Sequence, residues 1–391
     1  MSNVTVQSIF QAGYEALESS RTLPCHVRVV ARAIVACRTA LLGGHIQGCP
    51  DGHYQRQWYN SCKHRSCPLC AWIQIERWLL KRKSRLLACD HYHGIFTLPH
   101  ELCDLWLLNV KVMTDLLFRA VRDSLFELLG DEKYLGAVPG VILTLHTWSQ
   151  TLILHPHIHC LITGGGLSAG GEWRFVDNGF LLPVRVAMGK FRGKFLACLD
   201  KAVEDGKVAL PYGMGLQGWM NLKNKLGRVK WNVHIRERYG HGKGVLSYLG
   251  RYIRGGPISN KRIISCEDGE VKFWHRVNGE DSQSKKRDAM TLPVEQFLGR
   301  YLLHVPEPRT KVVRYYGLYN PHKEADLEKC TGYLDQEIPQ EEEFLDWQSY
   351  CEGRGDEHPE LCPVCGKRLI LLSVIPSCKI IPPPGVLKEA A

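Results

Sequence analysis

Three groups of residues in this chain have the types and spacing to do chemistry: a histidine run, a tyrosine pair and a set of cysteine knuckles. The histidine run is His155-Pro156-His157-Ile158-His159. On a β-strand residues two apart share a face, so His157 and His159 point the same way while Ile158 packs behind them. Two imidazoles so placed can hold one divalent cation, Mg2+ or Mn2+, with positions left for a third ligand, water and a phosphate oxygen. A cation in that position polarises a phosphodiester for attack. Gln150 and His146, in the preceding strand region, are the candidates for the third ligand, and the direction of His155, before the proline, is open.

The second group is Tyr248-Leu249-Gly250-Arg251-Tyr252, in which two phenols four residues apart stack on one face of a helix. A phenol with a pKa of about 10 is a weak nucleophile at neutral pH and needs positive charge to stabilise its phenolate. Arg251 and Arg254 flank the pair and could clamp phosphates, and Lys243 lies in the same basic stretch as a further DNA-binding candidate. Attack would leave a 5′-phosphotyrosine and a free 3′-hydroxyl, a linkage that keeps the phosphodiester energy and can be reversed onto another strand. Tyr252, between Arg251 and Arg254, is expected to attack first, with Tyr248 as its partner.

The third group reads as zinc-binding. Cys67-Pro-Leu-Cys70 aims two thiolates at one tetrahedral ion, and Cys62 lies just upstream. Cys49 with His53, or Cys62, is the natural completion, while His45 and His64 stay open. Cys362-Pro-Val-Cys365 repeats the knuckle near the end of the chain, where Cys351, His358 or Cys378 could complete it. Short-spaced cysteine pairs mixed with histidine and proline point to a structural Zn2+ in a reducing compartment rather than to disulfides. The lone cysteines Cys25, Cys89, Cys103, Cys160 and Cys198 read as small core residues.

The elements that must position these groups follow from composition and periodicity. The chain has 391 residues, 45% hydrophobic, enough for two or three domains with buried cores. Its net charge of +10 is unevenly spread: eleven Lys or Arg against one acid between Pro211 and Cys266, then thirteen acids against three bases between Lys323 and Glu360. A basic middle suits a polyanionic partner, and Arg56, Lys63 and Arg65 extend that expectation to the cysteine knot. No apolar run reaches the length of a membrane span and the first residues lack the pattern of a signal peptide, so a soluble, cytoplasmic protein is expected. Helices are expected over 6–19, 26–42, 72–87, 102–129, 190–203, 245–252 and 294–304. Strands are expected over 93–98, 141–148, 152–162, 231–236, 258–265, 271–277 and 311–316. This order predicts an α+β core around an antiparallel sheet.

Taken together, these stretches resemble the rolling-circle HUH transposases of bacterial insertion sequences, the two-tyrosine family with an N-terminal transposase zinc-binding domain. The resemblance runs in the family's order from about residue 25 to 320. It is carried by Cys37-Arg-Thr-Ala-Leu-Leu-Gly-Gly-His45, Tyr59-Asn-Ser-Cys-Lys-His-Arg-Ser-Cys-Pro-Leu-Cys70 and Phe96-Thr-Leu-Pro-His100. It continues through Leu145-His-Thr-Trp-Ser-Gln150, His155 to Gly166, Tyr248 to Arg254, Phe297 to His304 and Tyr315-Tyr-Gly-Leu318. It implies an HUH-type catalytic domain over 91–320, with a central antiparallel sheet and flanking helices, preceded by a helical zinc-binding domain over 1–90 and followed by an acidic segment and Cys-x-x-Cys tail over 321–391. It further implies metal binding by His157 and His159, catalytic tyrosines at Tyr248 and Tyr252, and single-stranded DNA at transposon ends and target as partner, in a nucleoid-associated protein. The family often has Cys-x-x-Cys where this chain has Cys49-Pro-Asp-Gly-His53, so His53 stands where a thiolate is usual. A replication initiator or relaxase would share this chemistry, but the zinc knot ahead of the core and the lack of a helicase segment favour the transposase. A non-catalytic zinc-binding DNA regulator would leave the histidines and tyrosines without a reason to coexist.

Overall fold

The computed structural model describes residues 4–83, 85–239, 256–276, 287–336, 348 and 358–378. In chain order, α1 (Val6–Ser20), α2 (Cys25–Ala36), β1 (Gly44–Gly48), β2 (Gln55–Tyr59) and α3 (Ala71–Lys83) come first. They are followed by β3 (His91–Thr97), α4 (Cys103–Leu108), α5 (Val110–Leu129), β4 (Val138–Trp148), β5 (Leu154–Leu167) and β6 (Trp173–Phe175). Next are α6 (Val184–Glu204), α7 (Leu216–Arg228), β7 (Asn232–Tyr239), β8 (Ile263–Glu267), β9 (Glu270–Arg276) and β10 (Arg287–Pro293). The last are α8 (Val294–Leu302), β11 (Val313–Gly317), α9 (Glu324–Tyr333) and β12 (Ile370–Ile375). The fold is α+β, and every strand pairing among the described residues is antiparallel.

The chain divides into two compact units, each assembled from separate stretches of sequence. One unit gathers Met1–Leu80, Ile258–Val305 and Glu341–Ala391; the other is made of Lys81–Pro257 and Pro306–Gln340. The physical reason lies in long-range packing that leaves no local mark in the sequence. In the first unit α1 buries Val6, Ile9, Phe10, Tyr14 and Leu17 on one face, and Phe10 meets Tyr301 of α8 edge-on at 5.2 Å between ring centroids. Phe297, on the same helix, packs against Phe273 of the β10-β9-β8 sheet. A second three-stranded sheet in this unit has the order β12-β1-β2.

The second unit is built on a sheet of order β11-β4-β5-β3-β7, with β6 paired to β5. The pleat sends alternate side chains to opposite faces. Tyr92 and Phe96 of β3, Val141, Leu143 and Leu145 of β4, and Ile158, Cys160 and Ile162 of β5 all join one apolar core with α5 and α6. Phe191 of α6 is fully buried there, edge-on to Phe96 at 5.3 Å and to Trp231 at 5.1 Å.

Periodicity predicts one helix over 102–129, but the chain forms α4 and α5 with Asn109 between them. The Asn109 amide donates to the carbonyls of Leu105 (2.9 Å) and Ala209 (2.8 Å) and accepts from the Ala209 N–H (2.8 Å). A side chain that substitutes for backbone partners in this way competes with continuing the helix. Helices α7 and α9 and the β1–β2 hairpin lie outside the expected elements. Of the lone cysteines, Cys89 and Cys160 are buried and Cys103 and Cys198 half-buried, whereas Cys25 is exposed at the start of α2 and is no core residue. No described helix is long and apolar enough to cross a membrane.

Truncating Phe191 would empty a site enclosed by two aromatic rings. Phe191→Ala should lower the unfolding free energy by about 3–5 kcal/mol in chemical denaturation.

Candidate functional site

On the sheet face opposite the apolar core, β5 presents His157 and His159, as the two-residue period requires. The hairpin between β4 and β5 sets their neighbour. Ser149 N–H donates to the Ile153 carbonyl (3.0 Å), Leu152 turns with φ +63°, and the resulting register puts His146 directly opposite His157. The metal-ligating nitrogens of His146, His157 and His159 lie within 4.8 Å of one another. Gln150, the other candidate third ligand, is exposed in the turn beyond β4. His155 is half-buried beside His157, its ring centroid 5.3 Å away.

The rings are oriented by their other nitrogens. His157 Nδ1 lies 2.7 Å from its partner, the His155 carbonyl oxygen, so this nitrogen carries the proton and Nε2 keeps its lone pair. His159 Nδ1 lies 2.9 Å from Nε2 of His93, a buried residue of β3. His157 Nε2 and His159 Nε2 face each other at 3.1 Å. A proton on one of them satisfies that contact, and a cation satisfies both lone pairs at once. Desolvation first, then the neighbouring His146, pushes the His157 pKa down to about 3. The ring is therefore neutral at physiological pH, the form that binds metal. Trp148 stacks on His146 at 4.4 Å and walls one side of the cluster.

His93 is the site residue that motif reading missed. Its signal was faint: it lies in a strand whose alternate positions, His91, His93, Ile95 and Thr97, share one face. Only the pairing of β3 with β5 brings it against His159. Tyr248, Tyr252, Arg251, Arg254 and Lys243 lie outside the described residues. Within the basic stretch, Lys223 pairs with Asp200 at 2.7 Å and Lys225 with Glu101 at 3.2 Å, so part of that charge is neutralised internally.

The cysteines sort into two clusters, each with its ligand atoms within 4.8 Å of one another: Cys37, Cys62, Cys67 and Cys70; and Cys49, His53, Cys362 and Cys365. Cys49 and His53 thus do not complete the first knuckle as their sequence position suggested. Cys37, between α2 and β1, takes that place. Its Sγ is 3.4 Å from that of Cys70, and Cys62 Sγ is 3.6 Å from Cys70 Sγ. Tetrahedral thiolates at the usual Zn–S length stand about 3.8 Å apart, so the four-sulfur cluster fits Zn2+ in spacing and donor type. Hydrogen bonds from Cys62 and Cys67 lower the Cys37 pKa to about 7, and those from Cys37, Cys62 and Cys67 hold Cys70 well below the usual thiol value. The Tyr301 hydroxyl donates to the Ser66 carbonyl (3.2 Å) beside Cys67. Burial pushes the Tyr301 phenol up, so it stays protonated as a donor. His45 and His64 are outside both clusters, and His64 Nδ1 accepts instead from Ser66 N–H at 3.1 Å. Arg56 lies over the Trp58 ring at 4.6 Å on β2.

Calorimetric titration with Mn2+ should register binding that His157→Ala removes. His93→Ala should weaken it about 10–100-fold, as loss of an orienting partner of a ligand does, and His93→Gln should recover part of the loss. In metal-free protein the unfolded chain protonates His157 below about pH 6.5, which the folded chain resists down to about 3. Its contribution to stability is therefore complete above pH 6.5 and falls as the pH drops through that window. Denaturation at pH 7.5 and pH 5 should show the loss, and His157→Gln should flatten it.

Residues 9–98, which contain Cys37, Cys49, His53, Cys62, Cys67 and Cys70, match the family described as "Transposase zinc-binding domain". Residues 140–326, which contain His146, His157 and His159, match the family described as "Putative transposase". The chain is 35% identical over 375 residues to a Sinorhizobium fredii protein named "Putative transposase y4qJ", covering 92% of each chain. It is 27% identical over 347 residues to the "Transposase for insertion sequence element IS801" of Pseudomonas savastanoi pv. phaseolicola, covering 88% of this chain and 82% of the relative. The chain belongs to the rolling-circle HUH family of insertion-sequence transposases that carry an N-terminal transposase zinc-binding domain.

Proposed function

We propose that the protein is a DNA transposase that cleaves one DNA strand and rejoins it through a covalent 5′-phosphotyrosine. The observation that carries this reading is the convergence of His146, His157 and His159 on one face of the central sheet, with nitrogen atoms spaced to share a cation. Such a cation supplies Lewis-acid polarisation of a phosphodiester. Mg2+ or Mn2+ is the ion of this reading, and the three imidazoles make Mn2+, the softer of the two, the better match.

In this reading Tyr252 is the first nucleophile. Its phenolate oxygen attacks phosphorus, the tyrosyl O–P bond forms, the bond from phosphorus to the 3′-oxygen breaks, and the departing oxygen takes up a proton as a free 3′-hydroxyl. Arg251 and Arg254 stabilise the phenolate and the phosphate charge, and Lys243 adds to the grip on the strand. Because the phosphotyrosine retains the energy of the broken linkage, a 3′-hydroxyl from another strand can reverse the step without ATP. Tyr248 provides a second attachment point, which lets one end remain bound while the next is cut. The partner is single-stranded DNA at transposon ends and at the target, and the working compartment is the bacterial cytoplasm, at the nucleoid.

Incubation with labelled single-stranded DNA carrying the element's ends and Mn2+ should give an adduct that survives denaturant. Tyr252→Phe should abolish the first adduct, Tyr248→Phe should leave it, and His157→Ala should remove it while DNA binding persists. An adduct that persists in the Tyr248→Phe/Tyr252→Phe double variant would overturn the assignment. DNA affinity should also fall steeply with salt.

A further inference from the structure

The second cysteine cluster joins parts of the chain that are far apart in sequence. Cys49-Pro50-Asp51-Gly52-His53 forms the tip of the β1–β2 hairpin, where the Cys49 N–H donates to the Tyr54 carbonyl at 2.8 Å and the Gly52 N–H to the Cys49 carbonyl at 3.0 Å. Cys362-Pro363-Val364-Cys365-Gly366 repeats this geometry. The Cys362 N–H donates to the Lys367 carbonyl at 2.8 Å and the Gly366 N–H to the Cys362 carbonyl at 2.9 Å. Gly52 and Gly366 both turn with positive φ, +77° and +71°. Two such knuckles facing each other are the arrangement of a zinc ribbon.

The spacing fits one ion. Cys49 Sγ is 3.5 Å from Cys365 Sγ, a residue 316 positions away, and 3.7 Å from His53 Nδ1. Three thiolates and one imidazole form a closed structural set for Zn2+. Around them the segments are fitted in detail. Lys367 pairs with Asp51 at 2.7 Å across the two knuckles, and Cys49, Cys362 and Leu369 share a small buried cluster with Tyr54 packed on it. Strand β12 extends the hairpin sheet in the register Gly44↔Ile375 to Gly48↔Ile370. At Gly43, with φ +66°, a Cβ would lie 2.6 Å from the Ile375 carbonyl oxygen, so the strand lies closer than any side chain there would allow. Within the tail, His358 Nδ1 accepts from the Glu360 N–H at 3.1 Å, which occupies a ring nitrogen that the sequence had offered as a ligand. Both matched families end before residue 362.

We infer that residues 358–378 are an integral part of the zinc-binding unit, held to its N-terminal hairpin by a second Zn2+ on Cys49, His53, Cys362 and Cys365. Docking of the tail strand and binding of this ion are then one event, because the ligand set exists only when both knuckles are in place. The inference does not depend on the strand-transfer chemistry.

Zinc content of the full chain, measured by native mass spectrometry, tests it. In the His157→Ala background, which removes the histidine cluster as a further zinc site, the otherwise unchanged chain should carry two ions. Cys49→Ser should carry one, Cys362→Ser/Cys365→Ser should carry one, and all three substitutions together should still carry one, because they dismantle the same site. Two ions in the tail variant, or none in the combined variant, would overturn the shared site. Hydrogen exchange of the β12 amides, slow in the wild type, should accelerate at least tenfold in Cys49→Ser; unchanged protection would refute the coupling. A conservative replacement guards against simple misfolding. His53→Cys should keep two ions and a protected β12, with a stronger sulfur-to-metal charge-transfer band after Co2+ substitution. Loss of an ion there would count against His53 as a ligand.

Discussion

The two-residue alternation of β5, fixed between β3 and β4, is the constraint on which the metal cluster depends. Ile158, Cys160 and Ile162 must lie in the apolar core with α5 and α6, and this obliges His157 and His159 to face the other way. A one-residue slip would exchange the faces, bury imidazoles among phenylalanines and expose the core set, so burial fixes register strongly. The flanking strands then inherit their roles. β4 contributes His146 opposite His157, and β3 contributes His93 against His159. Hydrophobic packing thus does the positioning for a polar site that it never touches.

The same arrangement sets the electrostatics. His93, His146, His157 and His159 lie ring against ring, so the rings cannot all be protonated, and removal from water adds to that penalty. Burial keeps His157 neutral, and its bond to the His155 carbonyl fixes which nitrogen is available. Neutral, oriented imidazoles at this spacing satisfy one another through a shared proton, and the same nitrogens are placed to share a cation instead. The four-sulfur cluster divides its protons unevenly: hydrogen bonds among the thiols favour thiolate at Cys37 and Cys70 and hold Cys62 and Cys67 protonated.

What could be read from the sequence was what is local. The His157/His159 pair follows from spacing on one strand, and Cys67-Pro-Leu-Cys70 from a short loop. The α+β class follows from the run of periods. What could not be read was what tertiary pairing assigns. That His146 stands opposite His157 follows only once the 149–153 turn has set a register. Cys37 stands 25 residues before Cys62, too far for a knuckle motif. Cys49 sits close to Cys62 in sequence, yet its Sγ lies 3.5 Å from that of Cys365. The two-unit division was hidden for the same reason, since the contact of Phe10 with Tyr301 has no local signature.

The unit that gathers Met1–Leu80, Ile258–Val305 and Glu341–Ala391 is assembled from three separate stretches of chain. During synthesis its first helices and thiolates leave the ribosome long before the strand and knuckle that finish it. Cys49 and His53 at the hairpin tip are therefore made long before the Cys362 and Cys365 that complete their cluster. Contacts of such high sequence separation are slow to form and leave open strand edges exposed in the interim. Quality control in the cell would thus meet this unit first as an open hairpin whose Cys49 awaits a partner made 316 residues later.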